Sequence, residues 1–327
     1  MLDRAYGCLI CAAIGDAMGM PASFMSPEQI KNTYGRITDF MEPSKEQTAH
    51  ACLTRGEITD DTEESLIISS VLMETKRFDL DLFIEKMRKW ALDKKMLEST
   101  VIGPSTRKFL ECIIKGEDFH ESGKYGDTNG GAMRVMPIGI FNHGNLEKAT
   151  EDAVLSSLPS HGSKPGVAST CAVAAAVSLA VEGGSTPKQV IEAALYGAQK
   201  GEERGYDIPA PSVVARIQLA IEIVEKNKGK QPDEICYELY RYIGAGMKSY
   251  ESVPFSLGIF YAVEGDVEKG IITAVNIGDD ADTNASIVGG LCGAYSGTSR
   301  VNPSWIKKIE RKNSIDFKKI ALALLKK

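Results

Sequence analysis

Thr59-Asp60-Asp61-Thr62-Glu63-Glu64-Ser65-Leu66-Ile67-Ile68-Ser69-Ser70-Val71-Leu72-Met73-Glu74 reads as a helix whose start is written into it. Thr and Asp favour N-caps because their side-chain oxygens accept the unpaired first-turn amides, and first-turn acids complement the positive end of the helix dipole. Asp60-x-x-Glu63 and Asp61-x-x-Glu64 each match part of a capping box. Leu66, Ile67, Ser70, Val71 and Glu74 then follow at three- and four-residue spacing. The same period returns in Leu82-Phe83-Met87-Trp90-Ala91, Val167-Cys171-Ala174-Ala175-Leu179, Val213-Ile217-Ala220-Ile221-Val224 and Phe317-Ile320-Ala321-Leu324. Gly183-Gly184 closes one helix, Ser185-Thr186-Pro187 opens the next with a cap and a first-turn proline, and Asn302-Pro303 opens another. No alternating apolar and polar run persists, and Asn129-Gly130 leads into a helical segment instead of a hairpin. The pattern predicts an all-α fold, one compact multi-helix domain over residues 1–327. Its longest loops are expected at Tyr34–Gly56 and Lys115–Gly131.

Composition is that of an ordinary globular protein: 327 residues, 43% hydrophobic and 25% charged. A net charge of −6 lacks the basic footprint that nucleic acid or an anionic membrane would demand, so neither partner is expected. No apolar run reads as long enough to span a bilayer. Met1-Leu2-Asp3-Arg4 does not resemble a secretory leader, and the seven scattered cysteines suit a reducing compartment, so a cytoplasmic location is expected. Cys8-x-x-Cys11 lies in an apolar stretch without a second ligand pair, which makes it core and not a redox or zinc motif.

Ala12, Ala13, Gly15 and Gly19 crowd one predicted helix; Gly289, Gly290, Gly293, Ala294 and Gly297 crowd another. Each helical glycine costs about 1 kcal/mol relative to alanine. Close approach of two central helices would compensate, and would bring their ends together.

Gly278-Asp279-Asp280-Ala281-Asp282-Thr283-Asn284 precedes the second of these helices and repeats the pairing of carboxylates with a threonine hydroxyl. Three aspartates in four residues exceed what a cap needs, and close carboxylates repel unless solvent or a cation relieves them. Hard divalent cations take several oxygen ligands, and each Thr/Asp cluster offers about half a shell. The calcium-loop pattern fits poorly, lacking its glycine and its distal glutamate. The four histidines, His50, His120, His143 and His161, are dispersed, which argues against zinc. Magnesium or manganese is the expected ion, provided that the fold brings the clusters together.

With these clusters, Gly15-Asp16-Ala17-Met18-Gly19-Met20-Pro21 and Asn129-Gly130-Gly131-Ala132-Met133-Arg134 complete an ordered set of motifs that resembles the ADP-ribosylglycohydrolase superfamily. That superfamily includes enzymes that remove ADP-ribose from modified dinitrogenase reductase and other proteins. The resemblance covers nearly the whole chain. It implies a binuclear Mg2+ or Mn2+ site with Thr59, Asp60, Asp61, Asp280, Asp282 and Thr283 as ligands. It also implies ions that bind the ribose hydroxyls and a water, with Asp61 or Asp280 as the acceptor of that water's proton. Many members carry a glutamate two residues after the motif's proline; here that place is Ser23.

Asn129, Gly130, Gly131, Met133 and Arg134 are expected at the substrate, through backbone amides suited to phosphate or ribose oxygens. Arg134 has two readings, a phosphate contact or a brace for a buried acid. His161 in Ser160-His161-Gly162 is expected to line the cleft, and Gly103-Pro104-Ser105-Thr106 resembles another family segment near it. Phe255 is a wall for a base or, on spacing, core; Trp90 and Trp305 are read as packing. The resulting expectation is a metal-dependent hydrolase of a ribosyl glycosidic bond in a small or protein-linked ADP-ribose conjugate. Ser23 keeps an N-ribohydrolase acting on a nucleoside as the alternative. The third reading is a non-catalytic ADP-ribose-binding or crystallin-like structural protein, against which the six ligand candidates stand.

Overall fold

The computed structural model describes residues 1–326. Helices α1 (Leu2–Gly19), α2 (Pro27–Tyr34), α3 (Asp60–Thr75), α4 (Leu80–Asp93) and α5 (Pro104–Lys115) come first. Two short helices, α6 (Gly130–Met133) and α7 (Met136–Phe141), lead into α8 (Leu146–His161), α9 (Lys164–Glu182) and α10 (Pro187–Glu202). The chain continues with α11 (Val213–Lys226), α12 (Pro232–Ile243), α13 (Ser249–Ala262) and α14 (Val267–Val275). It ends with α15 (Ala281–Ser296), α16 (Pro303–Asn313) and α17 (Phe317–Leu324). Among the described residues there is no strand, only two isolated bridges, Thr128–Lys248 and Ser163–Tyr206. The all-α expectation holds.

The expected punctuation is in place. Thr186 caps α10 with Pro187 in its first turn, and Asn302 with Pro303 opens α16. The capping boxes expected for α3 do not form. Thr59 is the N-cap, accepting the Asp61 amide, and the two glutamates are used elsewhere. Glu63 accepts the Trp90 indole N–H and pairs with Lys94, and Glu64 pairs with Arg134.

The glycines do hold two central helices together. Helices α1 and α15 run antiparallel with backbones in contact at rungs four residues apart: Gly7 with Gly293, Cys11 with Gly289, Gly15 with Ala285, and Gly19 with Ala281. A Cβ on Gly15 would lie 2.0 Å from the Ala285 carbonyl oxygen, and one on Gly293 would lie 2.1 Å from that of Gly7. Because i and i+4 share a helix face, one glycine per turn makes a continuous close seam. The seam carries the C-terminal end of α1 to the N-terminal end of α15.

Contrary to the sequence expectation, two helices are long and apolar enough to cross a membrane. They are Leu2–Ala22 and Lys164–Glu182, with mean hydropathies of 1.3 and 1.5. Both windows are 89% buried inside the protein, so their apolar surface is already covered by the core. Cys8 and Cys11 are buried and unbridged on α1, Phe255 is buried on α13, and Trp90 and Trp305 pack inward.

Arg134 corrects one of its two readings. It is fully buried, donates to Glu64 Oε2 at 2.6 Å, to the Ser156 carbonyl and to Ser160 Oγ, and lies over the Phe83 ring. It braces a buried acid and reaches no cleft.

Two outcomes follow for stability. Gly15→Ala forces backbone against backbone and should lower stability by about 1–3 kcal/mol, read as a lower urea midpoint. Gly103→Ala, with nothing within 4 Å of its Cβ, should lower the midpoint far less, by no more than the loss of a glycine N-cap on α5. Arg134→Met strands the Glu64 carboxylate and should cost about 3–5 kcal/mol, whereas Arg134→Met with Glu64→Leu should recover most of the loss. Equal losses in the single and double variants would show that the pair is not a closed unit.

Candidate functional site

The α1–α15 seam ends where α3 begins, and the two Thr/Asp clusters meet there. Thr283 Oγ1 donates to Asp61 Oδ1 at 3.4 Å, and Asp60, Asp61, Asp280, Asp282 and Thr283 all line one narrow cleft of about 40 Å3. That is the space of an ion with a water or two, and a larger ligand would sit at its mouth. Thr59 stands behind this wall as the cap of α3. Cap and cluster are the same structure: the start of α3 and the start of α15 present their acids to shared space.

The opposite wall comes from α5, α6 and the end of α8. Gly103, Thr106, Thr128, Asn129, Gly130, Met133 and His161 line it. Asn129 Nδ2 donates to Asp280 Oδ2 at 2.5 Å and to Ser252 Oγ at 2.9 Å, fixing that carboxylate. His161 is buried between Ser160 Oγ, 2.8 Å from Nδ1, and Thr128 Oγ1, 3.1 Å from Nε2. Burial, helped by the Arg134 charge, drives its pKa well below the ordinary histidine value, so the ring is neutral. Gly131 departs from expectation: its Cβ would meet Thr170 Oγ1 at 2.3 Å, so it is a close-packing glycine turned from the cleft.

Val101, Thr128 and Met247 line the cleft without having been expected there, and Asp16, His50 and Phe24 are the more consequential residues missed. Asp16, inside the Gly-Asp-Ala motif, is a fully buried carboxylate that accepts the amides of Thr59 and Thr62 and, at 2.5 Å, the Thr62 hydroxyl. It ties α1 to the start of α3. A lone acid inside the apolar run Ala13-Ile14-Gly15-Asp16-Ala17-Met18 was the readable signal.

His50 lies in the Tyr34–Gly56 loop and enters the cleft with its Nε2 2.9 Å from Asp282 Oδ2. With His161 it brings two of the four histidines to the site, so the expectation that they are dispersed does not hold in space. Gln47 anchors this loop by donating to the carbonyls of Met20 and Ser23.

Phe24 stands at the mouth, 50% exposed, at φ +64°. Its amide donates to the Asp279 carbonyl at 2.5 Å, while the Asp279 amide (φ +55°) donates to the Met25 carbonyl at 2.8 Å. Two non-glycine residues in the left-handed region are thereby clasped together beside the acids. Such strain persists only where surrounding structure imposes it. Ser23, one residue earlier, is turned inward: it accepts the Asp282 amide at 3.2 Å and donates to the Gly19 carbonyl.

The electrostatics are extreme. Asp16, Asp60, Asp61, Asp280 and Asp282 are all buried, and no lysine or arginine lines the cleft among the described residues. Burial, compounded by the neighbouring acids, pushes Asp60, Asp61 and Asp280 well above the usual carboxylate range. Burial likewise lifts Asp16 to about 7, against the pull of the Thr62 hydroxyl. Asp282 alone falls below its ordinary value, because the charge and proximity of His50 outweigh its burial. His50 in turn is raised: Asp282, with Asp16 and Asp280 behind it, overcomes the opposing effect of burial.

Among the described residues no three Asp, Glu, His or Cys side chains close on one point as a preformed ligand shell. The donor set nonetheless fits a divalent cation. Asp61 Oδ2 and Asp282 Oδ1 are buried without a hydrogen-bond partner, and the crowded acids have one imidazole to offset them. A cation among these oxygens would meet both needs.

Comparison with known proteins agrees with this architecture. Residues 1–327 match the family model described as ADP-ribosylglycohydrolase. An uncharacterized protein of Escherichia coli (strain K12), YegU, is 30% identical over 99% of this chain and 97% of its own length. The ADP-ribosylarginine hydrolase Tri1 of Serratia proteamaculans is 25% identical over 96% of this chain and 77% of its own. A solved structure titled ADP-ribosylglycohydrolase-related protein complex superposes with a TM-score of 0.72 at 22% identity, covering 99% of this chain and 97% of the other, and shares the fold. A buried acid cage at the meeting of two helix starts is thus found in a chain that belongs to the ADP-ribosylglycohydrolase family.

Proposed function

We propose that this protein hydrolyses the ribosyl glycosidic bond of an ADP-ribose conjugate in the cleft between α3 and α15. The observation that supports this most is the convergence of Asp60, Asp61, Asp280, Asp282 and Thr283, from sequence positions over two hundred residues apart, around unpaired carboxylate oxygens. These residues, with Thr59 behind them, would hold Mg2+ or Mn2+, in our reading two ions. When bound, the ions supply positive charge to the ribose hydroxyls and make a nearby water more acidic.

The chain's own groups divide the remaining work. Asp280 is oriented by Asn129 and bears on the sugar as positive charge grows at the anomeric carbon, a state that nearby carboxylates favour. Asp61 Oδ2 has no competing partner, which suits it to accept a proton. As the water oxygen bonds to the anomeric carbon and the glycosidic bond breaks, that proton passes to Asp61 and then to the departing group. Asn129, Gly130, Met133 and His161 line the wall against which the sugar rests; Gly131 and Arg134 support that wall from behind. Neutral His161 contributes hydrogen bonds and no charge. We further place the protein in a reducing, cytoplasmic setting, on the strength of its seven unbridged cysteines.

The name of the Serratia relative makes ADP-ribosyl-arginine the first substrate to test. Release of ADP-ribose should require Mg2+ or Mn2+, stop with a chelator and return on adding back the ion. Asp61→Asn should lower kcat by about 100- to 10,000-fold, the range for loss of a positioned base, with a metal-free thermal midpoint no lower than that of the wild type, since one of the crowded charges is gone. A panel of ADP-ribosyl-arginine, ADP-ribosyl-serine, O-acetyl-ADP-ribose and free nucleosides should favour an ADP-ribose conjugate. Preferential cleavage of nucleosides would transfer the assignment to an N-ribohydrolase. Wild-type rates equal to those of Asp280→Ala on every substrate would remove the catalytic reading altogether.

A further inference from the structure

We propose that His50 is a nitrogen donor to the divalent cation, so that the site is mixed nitrogen–oxygen instead of the all-oxygen cage its aspartates suggest. The inference rests on the cation-binding reading above. His50 is 2% exposed, yet neither ring nitrogen has a hydrogen-bond partner. Buried polar groups without partners are rare, because each loses its hydration and gains nothing in return.

Nε2 approaches Asp282 Oδ2 to 2.9 Å but off the line of a hydrogen bond. Two donors at right angles around one ion with bonds of about 2.1 Å are themselves about 3 Å apart, so this close, misaligned approach is the spacing of neighbouring ligands. The other oxygen of the same carboxylate, Oδ1, is also unpaired. Nε2 and Oδ1 are thus unsatisfied buried atoms on two adjoining side chains.

The loop is built to hold the ring there. Gln47 fastens it to the turn after α1, Thr100 Oγ1 donates to the carbonyl of Ala49, and the Phe24 ring stacks on the imidazole with centroids 6.4 Å apart. None of these contacts uses the ring nitrogens. Since Ser23 is occupied by the backbone of Asp282 and Gly19, the α1–α3 connection contributes Phe24 and His50 to the cleft, and of these two His50 carries the donor atoms. Imidazole suits later transition ions better than magnesium, whereas carboxylates suit magnesium and manganese. His50 therefore tilts the site away from magnesium.

Mn2+ provides a direct probe. Protein labelled with 15N-histidine and loaded with Mn2+ should show, by pulsed electron paramagnetic resonance, a 15N coupling of directly bonded size. His50→Ala should lose that coupling and weaken Mn2+ binding by about 10-fold or more in calorimetry, with Mg2+ binding affected less. His50→Gln, which offers an oxygen of similar reach, should recover part of the affinity without the coupling, and it guards against a merely unfolded alanine variant. Bound Mn2+ without 15N coupling in the wild type, or coupling that survives in His50→Ala, overturns the role of His50 while leaving the acid cage standing. No Mn2+ binding by the wild type overturns both.

Discussion

Backbone contact between α1 and α15 is the constraint from which the site follows. A helix pair normally keeps 8–10 Å between axes because side chains intervene; here Gly7, Gly15, Gly19, Gly289 and Gly293 remove them at one rung per turn. Glycine's entropic cost in a helix is accepted five times over along this seam. In exchange the register is fixed to the residue, since a slip by one position would drive side chains into carbonyls. The antiparallel register brings Gly19 beside Ala281. From that one adjacency, the turn Met20–Ser23 lies against Asp282, and Asp16, one turn before Gly19, reaches the cap of α3.

Once two helix starts are brought together, their local chemistry acquires a second use. First-turn acids are favourable at an isolated helix N-terminus because they meet unpaired amides and the positive dipole end. Two such ends facing one another concentrate acids where water is scarce, and the local gain becomes a mutual repulsion. The protein moderates it in part through Thr62 and Asn129, which donate to Asp16 and Asp280, and through the His50 imidazole lying beside Asp282. Nothing of the kind reaches Asp61 Oδ2. The unrelieved remainder is what a cation would use, so the stability of the empty cage and its affinity for metal pull in opposite directions.

Much of this was legible in sequence because it is encoded over short spans. Proline after a cap, paired glycines at a helix end and a glycine every fourth residue each have a local physical cause, and each marks its element correctly. The acid clusters were visible too, since three aspartates in four residues exceed any local need. What sequence could not show is which acid answers which base. Glu64 and Arg134 are 70 residues apart, and in sequence Glu64 looked like part of a capping box while Arg134 was open to two readings, a phosphate contact or a brace for an acid that the sequence did not identify. Pairing the two inside the core removes both from those roles. His50 was hidden for a different reason: it sits in a loop without periodicity, and its place depends on Gln47 finding two carbonyls of the turn after α1.

The division between helices and loops separates the acid cage from the rest of the cleft lining. Asp280, Asp282 and Thr283 stand at the start of α15, positioned by the glycine seam, and Asp60 and Asp61 at the start of α3, tied to α1 through Asp16; regular elements are where chemistry needing tight geometry belongs. Phe24, His50, Val101 and Met247, at the same cleft, come from connecting segments. Loops on a rigid scaffold can change without disturbing it, and specificity accordingly concentrates there. Ser23 belongs with the scaffold despite lying in a turn, because its hydroxyl is committed to the Asp282 amide and the Gly19 carbonyl. A larger acid at that position would have to break this bond and turn toward the cleft, displacing the space that His50 and Phe24 now share. The serine, the inward histidine and the strained phenylalanine therefore meet at one place, where Ser23 holds the start of α15 and leaves the adjoining space to the stacked rings of His50 and Phe24.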